Sequence, residues 1–205
     1  MSALWRYVFG NDRRVEVEVG PGTGSFLLAA APRDPLSNFF GIEHSHSRAA
    51  HLAVALAEAG LHNARVIAAD ASCVIAALLA PCSVATYHIY FPDPWWKRRH
   101  HRRRLLTAAF AEALACTLIE GGRIHVATDV PGVFTLALQT LGARAELTRE
   151  PESCRPRHGV TVFERKGLVR GAAIQEATFV KRSARNTLGA HTNSAAPITP
   201  AESPS

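Results

Sequence analysis

The chain has 205 residues, 47% of them hydrophobic and 20% charged. This is the composition of a soluble globular protein with one real core, and no apolar stretch is long enough to span a bilayer. The 23 Lys+Arg against 17 Asp+Glu leave a net charge of +6 and a sequence pI near 9.6, which points to a polyanionic partner.

Residues 1–14 contain Leu4, Trp5, Tyr7, Val8 and Phe9, too few to fold alone but enough to pack onto a domain as a clasp. They carry no long apolar run and do not read as a signal peptide. Residues 15–20 (VEVEVG) alternate apolar and acidic side chains, as a strand does, and run into PGTGSFLLAAA, a glycine turn followed by a helix. A second strand over 38–43 ends in Glu43, and an alanine-rich helix over 45–59 is closed by Gly60. A third strand over 64–69 ends at Asp70, a short helix spans 73–79, and a fourth strand spans 84–90. Residues 104–119 place Leu105, Leu106, Ala109, Phe110, Ala113, Leu114 and Leu118 at helical spacing, closed by Glu120-Gly121-Gly122. A fifth strand over 122–128 ends at Asp129, and 131–141 is a further helix. A sixth strand is expected over 143–148, a polar loop over 150–159, and a last strand over 173–181; 161–167 stays open between helix and turn. The domain is thus expected over 15–182, with 183–205 a disordered tail rich in Ser, Thr, Ala, Asn and Pro.

Alternating strands and helices predict a mostly parallel sheet with helices on both faces. Ligands of such sheets sit at the carboxyl ends of the strands, where the strand order reverses. That edge would carry Gly20, Gly22 and Gly24 together with Glu43, Asp70, Asp93 and Asp129. One acid after a strand is ordinarily a helix cap, and capping alone does not account for four in register. The turn is G-x-G-x-G, and Leu27 and Leu28 stand where a dinucleotide fingerprint needs its third glycine. Glu43 follows at roughly the distance expected of an acid that holds ribose hydroxyls, and Asp70 could accept from an adenine amino group. With Glu18 ahead of the turn, the pocket is too acidic for a pyrophosphate. It suits S-adenosylmethionine, which has a sulfonium and an ammonium and no phosphate, and so favours methyl transfer over hydride transfer.

Residues 90–104, YFPDPWWKRRHHRRR, join an aromatic segment around Asp93 to six Lys/Arg in the eight residues 97–104. Without those six cations the remaining chain balances 17 against 17. The pattern suits a charged planar substrate with phosphates attached; the competing reading is a solvated basic loop. Trp95 is a core residue or a stacking platform for a base. His100 and His101 read as polar contacts rather than catalytic groups, and His44 and His46 as surface caps of the helix over 45–59. Asp129 is a substrate contact or the N-cap of the following helix. Cys73, Cys82, Cys116 and Cys154 form no C-x-x-C pair, so no zinc or other metal site is expected, and reduced thiols in a cytoplasmic protein are the simplest reading.

Over residues 15–182 the order E-V-G-x-G-x-G, G-I-E-x-H, D-A, F-P-D-P-W-x-K-x-R-H-x-x-R-R, A-T-D, T-x-F-E resembles the bacterial tRNA (guanine-N7)-methyltransferase family. The block over 91–104 is its most specific part; the glycine turn alone marks only the class I methyltransferase superfamily. The resemblance implies a Rossmann-like seven-stranded sheet with an antiparallel last strand. It also implies a methyl transfer from S-adenosylmethionine to a guanine in the tRNA variable loop, with tRNA as partner and the protein a monomer or homodimer. Carried over by position, Glu18, Gly20, Gly22, Gly24, Glu43, Asp70 and Asp93 fall on cofactor contacts, and Asp93 also on the catalytic position. Lys97, Asp129, Thr161, Val162, Phe163 and Glu164 fall on substrate contacts, and Arg98, Arg99, Arg102, Arg103 and Arg104 on the RNA backbone. The chain departs from the family in three places. It has 14 residues before the first strand where relatives have a longer basic stretch. It has Val162 where T-K-F-E has its lysine, and little of the glycine-rich segment that follows. The alternatives are a divergent methyltransferase for another RNA or a small molecule, and an RNA-binding relative with little turnover.

Overall fold

The computed structural model describes residues 2–94, 105–156, 164–165, 169 and 171–183. Its elements in chain order are α1 (Ala3–Phe9), β1 (Arg14–Val19), α2 (Ser25–Ala30), β2 (Ser37–Glu43), α3 (His46–Glu58), β3 (Ala64–Ala68), α4 (Ala71–Ala77), β4 (Val84–Tyr90), α5 (Ala108–Thr117), β5 (Leu118–Thr128), α6 (Pro131–Gly142), β6 (Leu147–Arg149) and β7 (Gln175–Lys181). The strands form one sheet in the order β3-β2-β1-β4-β5-β7-β6. Strands β1 to β5 are parallel, and β7 runs antiparallel to both β5 and β6. The expected parallel sheet with a reversed last strand is what forms. The order reverses between β1 and β4, so a ligand crevice belongs at their carboxyl ends.

Period-two alternation sends Val15, Val17 and Val19 to one face of the sheet, with Tyr87, Ile89, Ile124, Val126 and Phe179. There they pack against α1, α4, α5 and α6 through Trp5, Ile75, Leu114 and Leu141. The other face packs Phe39 and Tyr90 against Phe26, Leu27, Leu52 and Leu56 of α2 and α3. Of the expected clasp, Leu4, Trp5, Val8 and Phe9 pack onto the domain, as helix α1, while Tyr7 is exposed. Trp5 is fully buried, its indole Nε1–H donating to the carbonyl of Ser83 at 2.8 Å, and its ring meets Phe40 edge-on at 5.1 Å.

Glu16 and Glu18 alternate with the valines but do not face water. They begin a buried polar row across the sheet. His88 on β4 lies opposite Glu18 and His125, and His125 lies opposite Thr178. Glu16 Oε2 bonds His88 Nε2 at 2.8 Å, His88 Nδ1 bonds the Tyr90 hydroxyl at 2.8 Å, and His125 Nδ1 bonds Thr178 Oγ1 at 3.0 Å. Burial first, then His88, Arg123 and Arg155, push the His125 pKa down to about 3, so its ring is neutral.

The helix expected over 104–119 begins only at Ala108, where Thr107 caps it by accepting from Phe110 N–H at 3.2 Å. It stops at Thr117, and β5 starts at once. Glu120-Gly121-Gly122 lies inside β5, where its register against β4 shifts. A Cβ on Gly122 would sit 2.8 Å from the Ile119 carbonyl and 2.9 Å from that of Ala85, so only glycine fits this kink. The fourth helix starts two residues earlier than expected because Asp70 caps it. The sixth strand shrinks to three residues, Leu147–Arg149.

Candidate active site

The glycine turn follows β1. Gly24 is the N-cap of α2 at φ 77°, and a Cβ there would collide with Leu52 Cδ1. Any side chain would push α2 off α3 besides straining the backbone. The turn is braced from β2. Glu43 Oε2 accepts from Gly22 N–H at 2.9 Å, and Oε1 accepts from Ser45 N–H at 2.8 Å and from Arg48. Burial raises the Glu43 pKa, but the Ser45 N–H, the Arg48 guanidinium and the Gly22 N–H outweigh it, so the carboxyl stays below its usual value and ionised. Ser45 caps α3, accepting from Arg48 N–H at 3.4 Å, while His44 and His46 stand exposed.

Glu18 is the contrasting acid. It is buried, and its Oε2 has no hydrogen-bond partner among the described residues. Burial, with the charge of Glu43 second, pushes its pKa up to about 8. A buried acceptor without a donor is costly unless a ligand supplies one. Asp70, after β3, accepts from Ser72 and Cys73 N–H through Oδ1 and is exposed. Its capping role is therefore real.

On the other side of the switch point, β4 ends in an unusual turn. Phe91 holds φ at 51°, with its N–H donating to Ala127 O at 2.7 Å. A left-handed conformation at a bulky residue before proline stores strain and is held by its surroundings. It turns the chain out of the sheet and leaves Asp93 exposed. Beside Asp93 opens a cavity of about 300 Å³ lined by Pro92, Leu105, Val133, Leu136 and Gln139 among others. Asp129, after β5, is half-buried and does not cap α6. The N-cap is Val130, and the Val130 N–H goes to Thr128 Oγ1 at 3.2 Å.

Glu164 is buried and ion-paired: Arg155 Nη2 reaches its Oε1 at 2.8 Å. Neither Arg155 nor its second partner Glu176 stood out in the sequence. An arginine in a polar loop reads as surface, although the alternation of β7 does place Glu176 on the face of Thr178 and His125. Trp95, Lys97, Arg98, Arg99, His100, His101, Arg102, Arg103, Arg104, Thr161, Val162 and Phe163 lie outside the described residues, as does the expected tail from 184 on.

The strand order thus brings Asp70, Glu43, the turn with Glu18, Asp93 and Asp129 to the ends of five adjacent strands, β3-β2-β1-β4-β5. A reversed β7 beside β5 and an acid-lined glycine turn define the class I methyltransferase fold. Solved structures with this fold include the 16S rRNA methyltransferase KamB (TM-score 0.64, 17% identity, covering 89% of this chain and 94% of that one). The aminoglycoside resistance methyltransferase NpmB1 is another (TM-score 0.59, 15% identity, 86% and 91%). Residues 12–177 match the family described as "Putative methyltransferase". The chain belongs to the tRNA (guanine-N7)-methyltransferase family within it. It is 37% identical to the tRNA (guanine-N(7)-)-methyltransferase of Rhodopirellula baltica, over 86% of this chain and 69% of that protein. It is 36% identical to that of Paraburkholderia xenovorans, over 88% and 70%, and 39% identical to that of Treponema pallidum, over 80% and 66%. The chain therefore spans about two thirds of the length of these relatives.

Proposed function

We propose that this chain transfers a methyl group from S-adenosylmethionine to N7 of a guanine in the variable loop of tRNA. The observation that carries this is the row of carboxylates at adjacent strand ends, in a chain whose relatives bear that activity in their names. The residues fit the cofactor, which supplies an electrophilic methyl on a sulfonium. Glu18 has a buried oxygen with no donor among the described residues, and an ammonium would provide one. Glu43 is held ionised beside the turn and would accept from ribose hydroxyls; Asp70 would accept from the adenine amino group.

Guanine N7 carries an in-plane lone pair, so no general base is required. The protein's work is alignment, worth on the order of 7–11 kcal/mol at best. Asp93 at the end of β4 would stabilise the positive charge that methylation places on the purine. A carboxylate can accept from the guanine N1–H and N2 amino group at once, which rejects adenine. Asp129 supports this role because no described residue bonds it, and Glu164 supports it by family position. Lys97 and the arginines through Arg104 would hold phosphates, with Arg98, Arg99, Arg102 and Arg103 among them. Four cysteines without disulfides fit a reducing cytoplasm.

Incubation with labelled S-adenosylmethionine and unmodified bulk tRNA, followed by nucleoside analysis, tests the reading. The expected product is 7-methylguanosine. Label at another position, or none, rejects it.

A further inference from the structure

Loop 150–156 has no regular structure, yet Arg155 within it is buried, its side chain only 3% exposed. An arginine placed on a loop for solubility would point outward. This one points inward and meets three groups from three parts of the chain. Nη2 and Nη1 reach Oε1 and Oε2 of Glu164 at 2.8 and 3.4 Å. Nη2 also reaches Glu176 Oε1 on β7 at 2.5 Å. The guanidinium carbon lies 5.2 Å from the ring centre of Tyr90, the last residue of β4. Tyr90 is itself anchored through His88 to Glu16 in the middle of the sheet.

These contacts locate Glu164. Tyr90 is three positions before Asp93. Glu176 pairs in register with Ala127, two positions before Asp129. The cluster therefore reaches from β4 to β7 across the end of β5, near the two acids assigned to the purine. Taken as ionised, the described groups of the cluster, one guanidinium and two carboxylates, sum to one negative charge, suited to the N1–H and N2 amino donors of guanine. A planar fork fixes the orientation of a carboxylate in a way that an ammonium does not. A carboxylate has about four acceptor sites, so a two-bond pair does not by itself stop it accepting more.

We propose that Arg155 is a positioning residue for substrate recognition. It sets the Glu164 carboxylate against the end of β4 and so governs affinity for RNA rather than for the cofactor. This rests on the reading of Glu164 as a guanine contact.

The test is a double-mutant cycle on tRNA methylation with Arg155→Lys, Glu164→Gln and the pair, after the wild-type chain has been shown to make 7-methylguanosine. Arg155→Lys keeps the charge and loses the fork. The KM for tRNA should rise about tenfold, while kcat and the cofactor Kd stay within about twofold. In the Glu164→Gln background the same change should add nothing, because the carboxylate it orients has lost its charge. Effects that multiply, or a folded Arg155→Lys with wild-type KM, overturn the proposal and leave the functional reading intact. A wild-type KM in Glu164→Gln removes the guanine contact and this proposal with it. No 7-methylguanosine from the wild-type chain removes the functional reading as well. Should Arg155→Lys not fold, Glu176→Gln takes its place in the cycle, since it leaves the Arg155–Glu164 pair and removes one anchor. A smaller rise in KM that disappears in Glu164→Gln is expected, and a multiplicative one is again fatal.

Discussion

Glu18 and Asp93 lie at the ends of adjacent strands, and their surroundings set them opposite tasks. Glu18 is buried next to ionised Glu43, and its pKa near 8 means that the free protein holds it protonated at neutral pH. A cationic ligand group prefers the carboxylate, so that proton must leave on binding. Affinity for S-adenosylmethionine is therefore expected to rise with pH up to about 8, and Glu18→Gln should weaken binding and flatten that rise. Calorimetric titration at several pH values checks both. Stability runs the other way. The folded state keeps a proton that the unfolded chain releases above the ordinary 4.5, so stability of the free protein falls as pH rises from 4.5 to about 8. Glu18→Gln removes that fall, and above pH 8 the variant should be the more stable by up to a few kcal/mol. Asp93 is exposed and is tested by kinetics instead. Asp93→Ala should lower kcat by about 10²-fold or more and change tRNA affinity by no more than about threefold. Full activity in single-turnover assays would take Asp93 out of the mechanism.

The short helix α1 shows how one element holds the frame of the site from a distance. Trp5 fills the space between β2 and the loop before β4 and bonds to Ser83, directly ahead of the strand that carries Asp93. Trp5→Ala should cost about 3–5 kcal/mol, the usual loss for a buried tryptophan. The denaturant midpoint should move at constant m-value; a loss under about 1 kcal/mol would show that the clasp is peripheral. Most elements were legible because their apolar periods were clean: β4 forms over 84–90 as expected, and β2, α3 and β3 begin or end within a residue of their predicted bounds. The errors came from interactions that a period does not encode. Asp70 started α4 early by capping it. Thr117 ended α5 early, its hydroxyl bonding Tyr87 and the Ala113 carbonyl. The alternation of VEVEVG predicted a strand correctly, yet the glutamates are buried, because β1 is a central strand covered on both faces.

At the scale of the molecule, the row of strand-end acids was legible in the sequence, but the order of the strands, which makes them neighbours, was not. Nor was the division of labour within the row. Glu43 braces the turn, Asp70 caps a helix, and Glu18 Oε2 has no donor among the described residues, while Glu164, outside the row, is bound to an arginine 9 positions before it. These depend on contacts between segments far apart in sequence or, for Arg155, on burial of a loop side chain. Charge is the property that sequence states outright. The excess of +6 equals the six Lys/Arg over 97–104, the segment that follows Asp93 in the sequence. If those side chains hold phosphates, binding releases counterions, and log K falls linearly with log salt. Replacing Arg102, Arg103 and Arg104 with Ala should then weaken tRNA binding and reduce the slope by about 0.7 to 0.9 for each phosphate no longer held. Cofactor affinity should change little, because three of the acids proposed to hold the cofactor, Glu18, Glu43 and Asp70, lie across the switch point at β1, β2 and β3. Filter binding from low to moderate salt measures the slope, and an unaltered slope would mean that the run is a solvated face that never meets the RNA.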